Sequence, residues 1–441
     1  MSEPFVTRND ITSWGRVVRE PQHVATPRFL DQLPPLVDAA RNSSLLASGL
    51  RRSYGDSCLN GDGDLIDMSK LDRIIHFDSA NGILRAAAGA SFSAILQLIV
   101  PHGWFLPVTP GTRFVTLGGA VANDVHGKNH HTAGTFGRHV RAIGLLRSDR
   151  GRLTLTPQTE PSLFASTVGG LGLTGLIEWV EIDLVKIDSA YLESETVPFE
   201  NLDAFWDITE ASAEKFEFTV AWVDCLARGD NLGRGIFSRA DWTPYGSFDS
   251  HRDGTLKRIP ADAPNFVLNR MSISAFNELY YRVNKARSGK KLQHYAPFFY
   301  PLDAVHGWNK LYGGKGLLQY QCVVPRATER TAIRTLLETI AADGQGSSLA
   351  VLKTFGDLPP VGLLSFPRAG TTLALDFPNR GAATLALLAR LDAIVAEAGG
   401  ALYPAKDGRI PSDMFQRSFP RWQELQRDPL MSSDFWRRVA I

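Results

Sequence analysis

From residue 111 to 131 the chain reads GTRFVTLGGAVANDVHGKNHH, with four glycines, three histidines and no glutamate. So much bare backbone beside imidazoles limits this stretch to tight turns and close approaches. It leaves three chemistries open: a metal site, a phosphate cradle, or a turn-rich hairpin region. His126 and His130 stand four apart, the spacing of a helical zinc site. However, Gly127 sits where such a motif carries its glutamate, and no Asp or Glu follows nearby to complete a ligand set. The histidines therefore read as loop residues in hydrogen bonds, and no metal is expected.

A second glycine-punctuated turn, SGLRRSYGDS, lies at 48–57. Together with PGTRFVTLGG it offers backbone N–H groups in tight turns, and such nests bind phosphate without a helix dipole. GGLGLTG at 169–175 supplies a formal GxGxxG in Gly170, Gly172 and Gly175. A dinucleotide turn of the Rossmann kind needs a strand before it and a helix after it. Here the apolar pattern gives a helix first and a strand second, so these glycines serve close backbone approach or helix capping. Near the C-terminus, LYPAKDGR places Lys406 just after Tyr403, and composition alone makes it a solvated lysine in a turn.

Periodicity orders the elements. GDLIDMSKLDRIIHFD and GILRAAAGA read as strands around a turn, SFSAILQLIVPHG as a helix with a Ser start and a Gly stop. HVRAIGLLRSDRGRLTLTP reads as two strands joined at SDRG, EPSLFASTVGGLG as a helix, and LIEWVEIDLVKI as a strand. From about residue 190 the segments lengthen. Helices over TERTAIRTLLETIAADG and GAATLALLARLDAIVAEAGG alternate with strands such as LLQYQCVV and TTLALDF. That order predicts an antiparallel sheet with helices on one face, an α+β unit. The last segment is turn-rich, then helical.

Bulk properties exclude some partners. With 47 basic and 46 acidic residues the net charge is +1, which gives no general attraction to nucleic acid. Three scattered cysteines, Cys58, Cys225 and Cys322, form no zinc spacing and read as reduced thiols of a cytoplasmic protein. The N-terminus shows no secretory signal. The longest apolar window, AILQLIVPHGWFLPV, is too interrupted to span a bilayer, which needs about 20 apolar residues. Peripheral membrane contact stays open.

Taken in order, GLRRSYGD, PVTPGTRFVTLGGAVANDVHGKNHHTAGTFGRHV, TVGGLGLTGLIEWVEI, GLLQYQCVVP and LYPAKDGR resemble flavoproteins of the vanillyl-alcohol-oxidase superfamily. Within it they are most similar to the oxidases of lipid-linked ribose. The resemblance runs from about residue 45 to the C-terminus and thins through 191–290. It implies an α+β fold with a two-subdomain FAD-binding domain over 1–190, completed by 398–441. An inserted substrate domain with an antiparallel sheet would span 191–397.

It also implies residue roles. Gly49, Arg52, Ser53, Tyr54, Gly55 and Asp56, with Gly111, Thr112, Thr116, Gly118 and Gly119, would hold the FAD pyrophosphate and ribityl chain. Asn123, His126 and Gly127 would lie along the flavin, Ile177 at the adenine half, and Tyr403 and Lys406 at the isoalloxazine. Lys406, Tyr54, His126 and Gln321 are the catalytic candidates, Lys406 first, in an electrostatic role. Trp222, Tyr300, Gln319, Gln321 and Lys353 would line the substrate pocket. Tyr54 occupies the region where tethering relatives carry histidine, so the FAD is expected to be non-covalent.

Lys310 stands in place of an Arg of the family, and Thr372 and Ala374 in place of Asn and Cys. The implied reaction is oxidation of the 2'-hydroxyl of a polyprenylphosphoryl-β-D-ribose to the 2'-keto sugar. A partner NAD(P)H-dependent keto-reductase would then complete epimerisation to the arabinose form. A monomer is expected. An oxygen-using aldonolactone or alditol oxidase, or a non-catalytic flavin- or glycolipid-binding protein, are the alternatives. Tyr54 speaks against the first of these, and the glycine turns with Lys406 against the second.

Overall fold

The computed structural model describes residues 4–40, 43–253 and 257–440. Its N-terminal sheet orders Val6–Arg8, Gln22–Ala25, Asp64–Asp67 and Leu45–Ser48 side by side. The last three run parallel, joined by crossovers, and the first is antiparallel. A five-stranded antiparallel sheet follows, in the order Ile74–Asp78, Ile83–Ala87, Leu176–Asp183, Val140–Arg147, Gly151–Leu155. The helix Phe92–Ile99 lies beside it. Ser91 caps that helix by accepting from the Ala94 N–H, and Gly103, just after the final 3-10 turn, takes a left-handed φ of 79°. A helix (Pro161–Thr167) precedes the 169–175 glycines and the strand Leu176–Asp183 follows them, the reverse of a Rossmann turn, as the pattern of the sequence indicates.

Residues 191–402 build an eight-stranded sheet whose order is Gly289–His294, Tyr191–Phe199, Gly235–Trp242, Phe218–Val223, Ala350–Phe355, Gly370–Pro378, Leu317–Pro325, Ala401–Leu402. Every pairing in it is antiparallel. The period-two alternation of LLQYQCVVP sets the two faces. Leu318, Tyr320, Cys322 and Val324 join Leu352, Leu373, Leu375 and Phe377 in a core closed by residues of the helices Leu202–Ser212, Glu329–Asp343 and Ala382–Glu397. The opposite face carries polar groups.

The helices Leu202–Ser212 and Arg270–Ala286 are not among those read from the sequence, and the second sits unusually. Only Ile273, Asn277 and Tyr281 of it are buried, and its Tyr280 ring meets Trp222 on the polar face. Among the described residues, no helix is long and apolar enough to cross a membrane.

Candidate functional site

The two glycine turns meet in space. Arg52 Nε donates to the Phe114 carbonyl at 3.1 Å, and its guanidinium lies 4.2 Å from the Trp14 ring centre. A Cβ on Gly49 would stand 2.2 Å from Thr116 Oγ1, so only glycine lets the first turn pass the second. Thr116 in turn caps the short helix Leu117–Ala122 by accepting from Gly119 N–H at 3.2 Å. The C-terminal segment closes over the first turn. Tyr54 N–H donates to the Ala405 carbonyl at 3.0 Å, and a Cβ on Gly55 would sit 1.6 Å from the Asp407 carbonyl oxygen.

Within Leu50–Cys58, among the described residues, Tyr54 alone gives its backbone N–H to a protein acceptor. Arg51 takes a left-handed φ of 51° near the start of that run, and the buried Ser57 hydroxyl has no protein partner. No protein atom lies within 4 Å of the place a Gly111 Cβ would take. N–H donors without protein acceptors, beside an arginine, make this loop a candidate cradle for a diphosphate. Ser53 gives its carbonyl to Trp14 N–H, and Thr112 Oγ1 accepts from Phe114 N–H.

The polar face of the large sheet supplies the second half. Strand register puts Gln319 opposite Asp376, Gln321 opposite Ala374, and Lys353 opposite Thr372, with Trp222 opposite Val351, all on one face. Gln321 Nε2 lies 3.0 Å from His126 Nε2 and 3.2 Å from Thr372 Oγ1. Lys353 Nζ lies 3.2 Å from His126 Nδ1 and donates to the Gly127 carbonyl at 3.4 Å. Gln319 Nε2 donates to Asp376 Oδ1. Lys406 Nζ stands 4.2 Å from the centre of the Tyr54 ring, a cation–π contact. Tyr403 gives its hydroxyl to the Asn123 carbonyl at 3.0 Å, stacks on Phe366, and lies 5.7 Å from the His126 ring. Asn123 itself donates to the Gly119 carbonyl at 2.8 Å.

Burial governs the charges here. It pushes His126 well below its ordinary range, with Lys353, His130 and Lys406 adding repulsion, so the imidazole is neutral. A neutral ring has one N–H. An ammonium on Lys353 therefore fixes the hydrogen on Nε2, which then needs the carbonyl end of Gln321, whereas a neutral Lys353 accepts from Nδ1. Burial, then Lys406, bring Lys353 down to about 7, so both arrangements are accessible near neutrality. Burial also lowers Lys406 and raises Asp376, and each opposes the shift of the other. Tyr54 is raised by burial, then by Asp376 and Tyr312.

Other positions read from the sequence have protein partners of their own. The Asp56 carboxylate is held by Arg438 at 2.8 and 3.0 Å, which ties the first turn to the C-terminal helix Asp434–Val439. Ile177 is buried in the five-stranded sheet, and Gly118 packs on Ala88. Tyr300 is a core residue whose hydroxyl meets Thr109 Oγ1 at 2.6 Å. Trp222 donates to the Ser348 carbonyl. Of the three family departures, Thr372 and Ala374 lie on the polar face, whereas Lys310 donates to the Pro260 carbonyl.

His130 Nδ1 accepts from Gly356 N–H, and among the described residues no group of three His, Cys, Asp or Glu could hold a metal. Two residues went unread in the sequence. Asp376 could have been found as the one carboxylate in the alternating TTLALDFP. Lys128, brought to about 7 by burial, donates to the Phe298 and Phe299 carbonyls and carried no signal.

Residues 21–156 match the model of an FAD binding domain. Across 99% of the chain the sequence is 35% identical to a protein of Mycolicibacterium smegmatis named decaprenylphosphoryl-beta-D-ribose oxidase, covering 98% of that protein. A Streptomyces coelicolor protein from the mprA 5' region is 32% identical over 79% of this chain and 99% of its own length. The D-arabinono-1,4-lactone oxidase of Eremothecium gossypii is 23% identical over 52% of this chain and 44% of its own.

Proposed function

The chain belongs to the decaprenylphosphoryl-β-D-ribose oxidase family, and from that premise we propose that it oxidises the 2'-hydroxyl of a polyprenylphosphoryl-β-D-ribose to the 2'-keto sugar. It is an FAD-dependent oxidoreductase. When bound, FAD supplies the acceptor for the hydride that leaves the carbinol carbon. The residues present fit that group. The unspent N–H donors of Leu50–Cys58, with Arg52 across to Phe114, suit its diphosphate, and His126, Asn123 and Tyr403 line the way from there to the polar sheet face.

The observation that carries the reading is this face. Gln319, Gln321, Lys353 and Lys406 converge there with a neutral His126, which suits a polyhydroxylated, anionic substrate better than an apolar one. Gln321 orients a sugar hydroxyl by way of its amide. Lys353, when charged, provides a point charge for the phosphate. Lys406, whose ammonium the Asp376 carboxylate favours through space, holds positive charge beside Tyr54.

Residues 1–190 with 398–441 form the FAD-binding part in this reading. The returning C-terminus supports it by hydrogen-bonding the first turn and bridging Asp428 to Ser148. Residues 191–397 form an inserted substrate domain. The FAD is non-covalent: no histidine stands in the first turn, and burial pushes the Cys58 thiol up to about 12, which keeps it un-nucleophilic. A keto sugar as product calls for a reductase partner.

The test is anaerobic bleaching of the yellow protein by a polyprenylphosphoryl ribose against free ribose, arabinitol and an aldonolactone. Fast bleaching by the first alone is expected. Equal rates with a free alditol or lactone would refute the substrate.

A further inference from the structure

Eight of the seventeen exposed large apolar side chains among the described residues lie in one stretch of the sequence. Phe266, Val267, Met271, Phe276, Leu279, Tyr280, Val283 and Leu292 are all exposed within 27 residues, Met271 by 82% and Phe266 by 75%. On the helix Arg270–Ala286, Phe276, Leu279, Tyr280 and Val283 follow the i, i+3, i+4, i+7 rule and form one stripe. That stripe flanks the buried row of Ile273, Asn277 and Tyr281, and it is most open to solvent at Leu279. Its Tyr280 end reaches the substrate side, 4.6 Å from the Trp222 ring centre.

Charge surrounds it. Residues 270–291 carry Arg270, Arg282, Lys285, Arg287, Lys290 and Lys291 against a single carboxylate, Glu278. Glu278 is bound to Arg234 and Arg282, while Glu193 and Glu200 approach Lys290 and Lys285. The local balance stays positive in a chain whose net charge is only +1. An exposed apolar stripe rimmed by Lys and Arg is the pattern of a helix that lies in a bilayer interface, attracted first by anionic headgroups.

We propose that this helix, with the Pro264–Leu268 loop before it, docks the enzyme on an anionic lipid bilayer, its Phe276–Leu279–Tyr280–Val283 stripe set into the interface. A second copy of the chain fits less well, since each positive rim would face another. The inference uses the lipid-linked substrate only for its purpose: a docked stripe that ends at Trp222 presents the polar face to a sugar phosphate held in the same bilayer.

The experiment is flotation of the FAD-loaded full chain with vesicles free of sugar lipid. One set is phosphatidylcholine alone and the other contains about one third phosphatidylglycerol. Binding to the anionic set is expected, weakening as salt rises. Leu279→Ser with Phe266→Ser, and separately Arg287→Glu with Lys291→Glu, should each cut it by about tenfold or more with FAD content unchanged. Binding to neither vesicle, or binding that both variants leave intact, overturns the proposal. So does a dimer in sedimentation velocity that Leu279→Ser dissolves. Because no sugar lipid is present, failure here is separate from failure of the substrate reading, which the bleaching assay decides.

Discussion

Replacing Asp376 by asparagine removes a buried carboxyl, raised by burial to about 7 and so charged on the alkaline side, while keeping the side-chain shape and its bond from Gln319. Lys406 is the group that feels the loss. Burial already lowers it from its ordinary range, and Asp376 is what raises it back. An opposite charge within ~6 Å at an effective dielectric of ~20 is worth roughly 3 kcal/mol. At about 1.4 kcal/mol per unit, that is roughly two pKa units before relaxation and water entry.

The sign follows. A lysine that acts as its ammonium loses activity as pH rises through its pKa, so a further lowering brings the alkaline limb to lower pH. In Asp376→Asn the limb should move down by about one to two units. The rate at low pH should change much less. The assay is anaerobic stopped-flow bleaching across pH 6 to 10, as ~unit steps, on parent, Asp376→Asn and Lys406→Ala after FAD content is matched. Lys406→Ala should lose most of the rate, on the order of 10²–10³, with FAD retained. An alkaline limb that stays in place in Asp376→Asn refutes the pairing. One that survives in Lys406→Ala assigns it to another group.

Three further outcomes are expected. Gly55→Ala would drive a Cβ against the Asp407 backbone carbonyl, at a cost on the order of 1–3 kcal/mol or more, read as a lower thermal midpoint and lost FAD; parent-like values would show that the contact relaxes. Acid precipitation should leave all flavin in the supernatant, and a yellow pellet would disprove the non-covalent reading. Arg438→Ala leaves Asp56 buried without its cation, costing about 3 kcal/mol. Burial raises the Asp56 carboxyl in the fold, so the variant should be less deficient at low pH and more so as pH rises. Urea unfolding at acid and alkaline pH checks the sign.

The sheet was legible because alternation is a local property. LLQYQCVVP states, residue by residue, that Gln319 and Gln321 share one side and Tyr320 and Cys322 the other. The glycine turns were legible for a similar reason, since a chain seldom places so many glycines together without close approach. What stayed hidden depends on distance along the chain. Asp376 meets Gln319 across 57 residues, and Asp56 meets Arg438 across 382. Neither pair leaves a mark in either segment alone, and only strand register or the returning C-terminus creates it.

Lys406 illustrates the limit. Its neighbours in sequence describe a surface turn, and its chemistry comes from Tyr54 and Asp376, which other elements deliver. The resemblance pointed to it where periodicity could not. The helix Arg270–Ala286 failed for the opposite reason. Amphipathic reading assumes that the apolar stripe is the buried one, and here the stripe is exposed while an asparagine, Asn277, is buried on Asp224 and Ser347. The buried row of Ile273, Asn277 and Tyr281 and the exposed stripe are both largely apolar, so periodicity alone does not say which side the fold covers. That choice is made by the strands Tyr191–Phe199 and Gly235–Trp242, which pack on the helix from far along the chain.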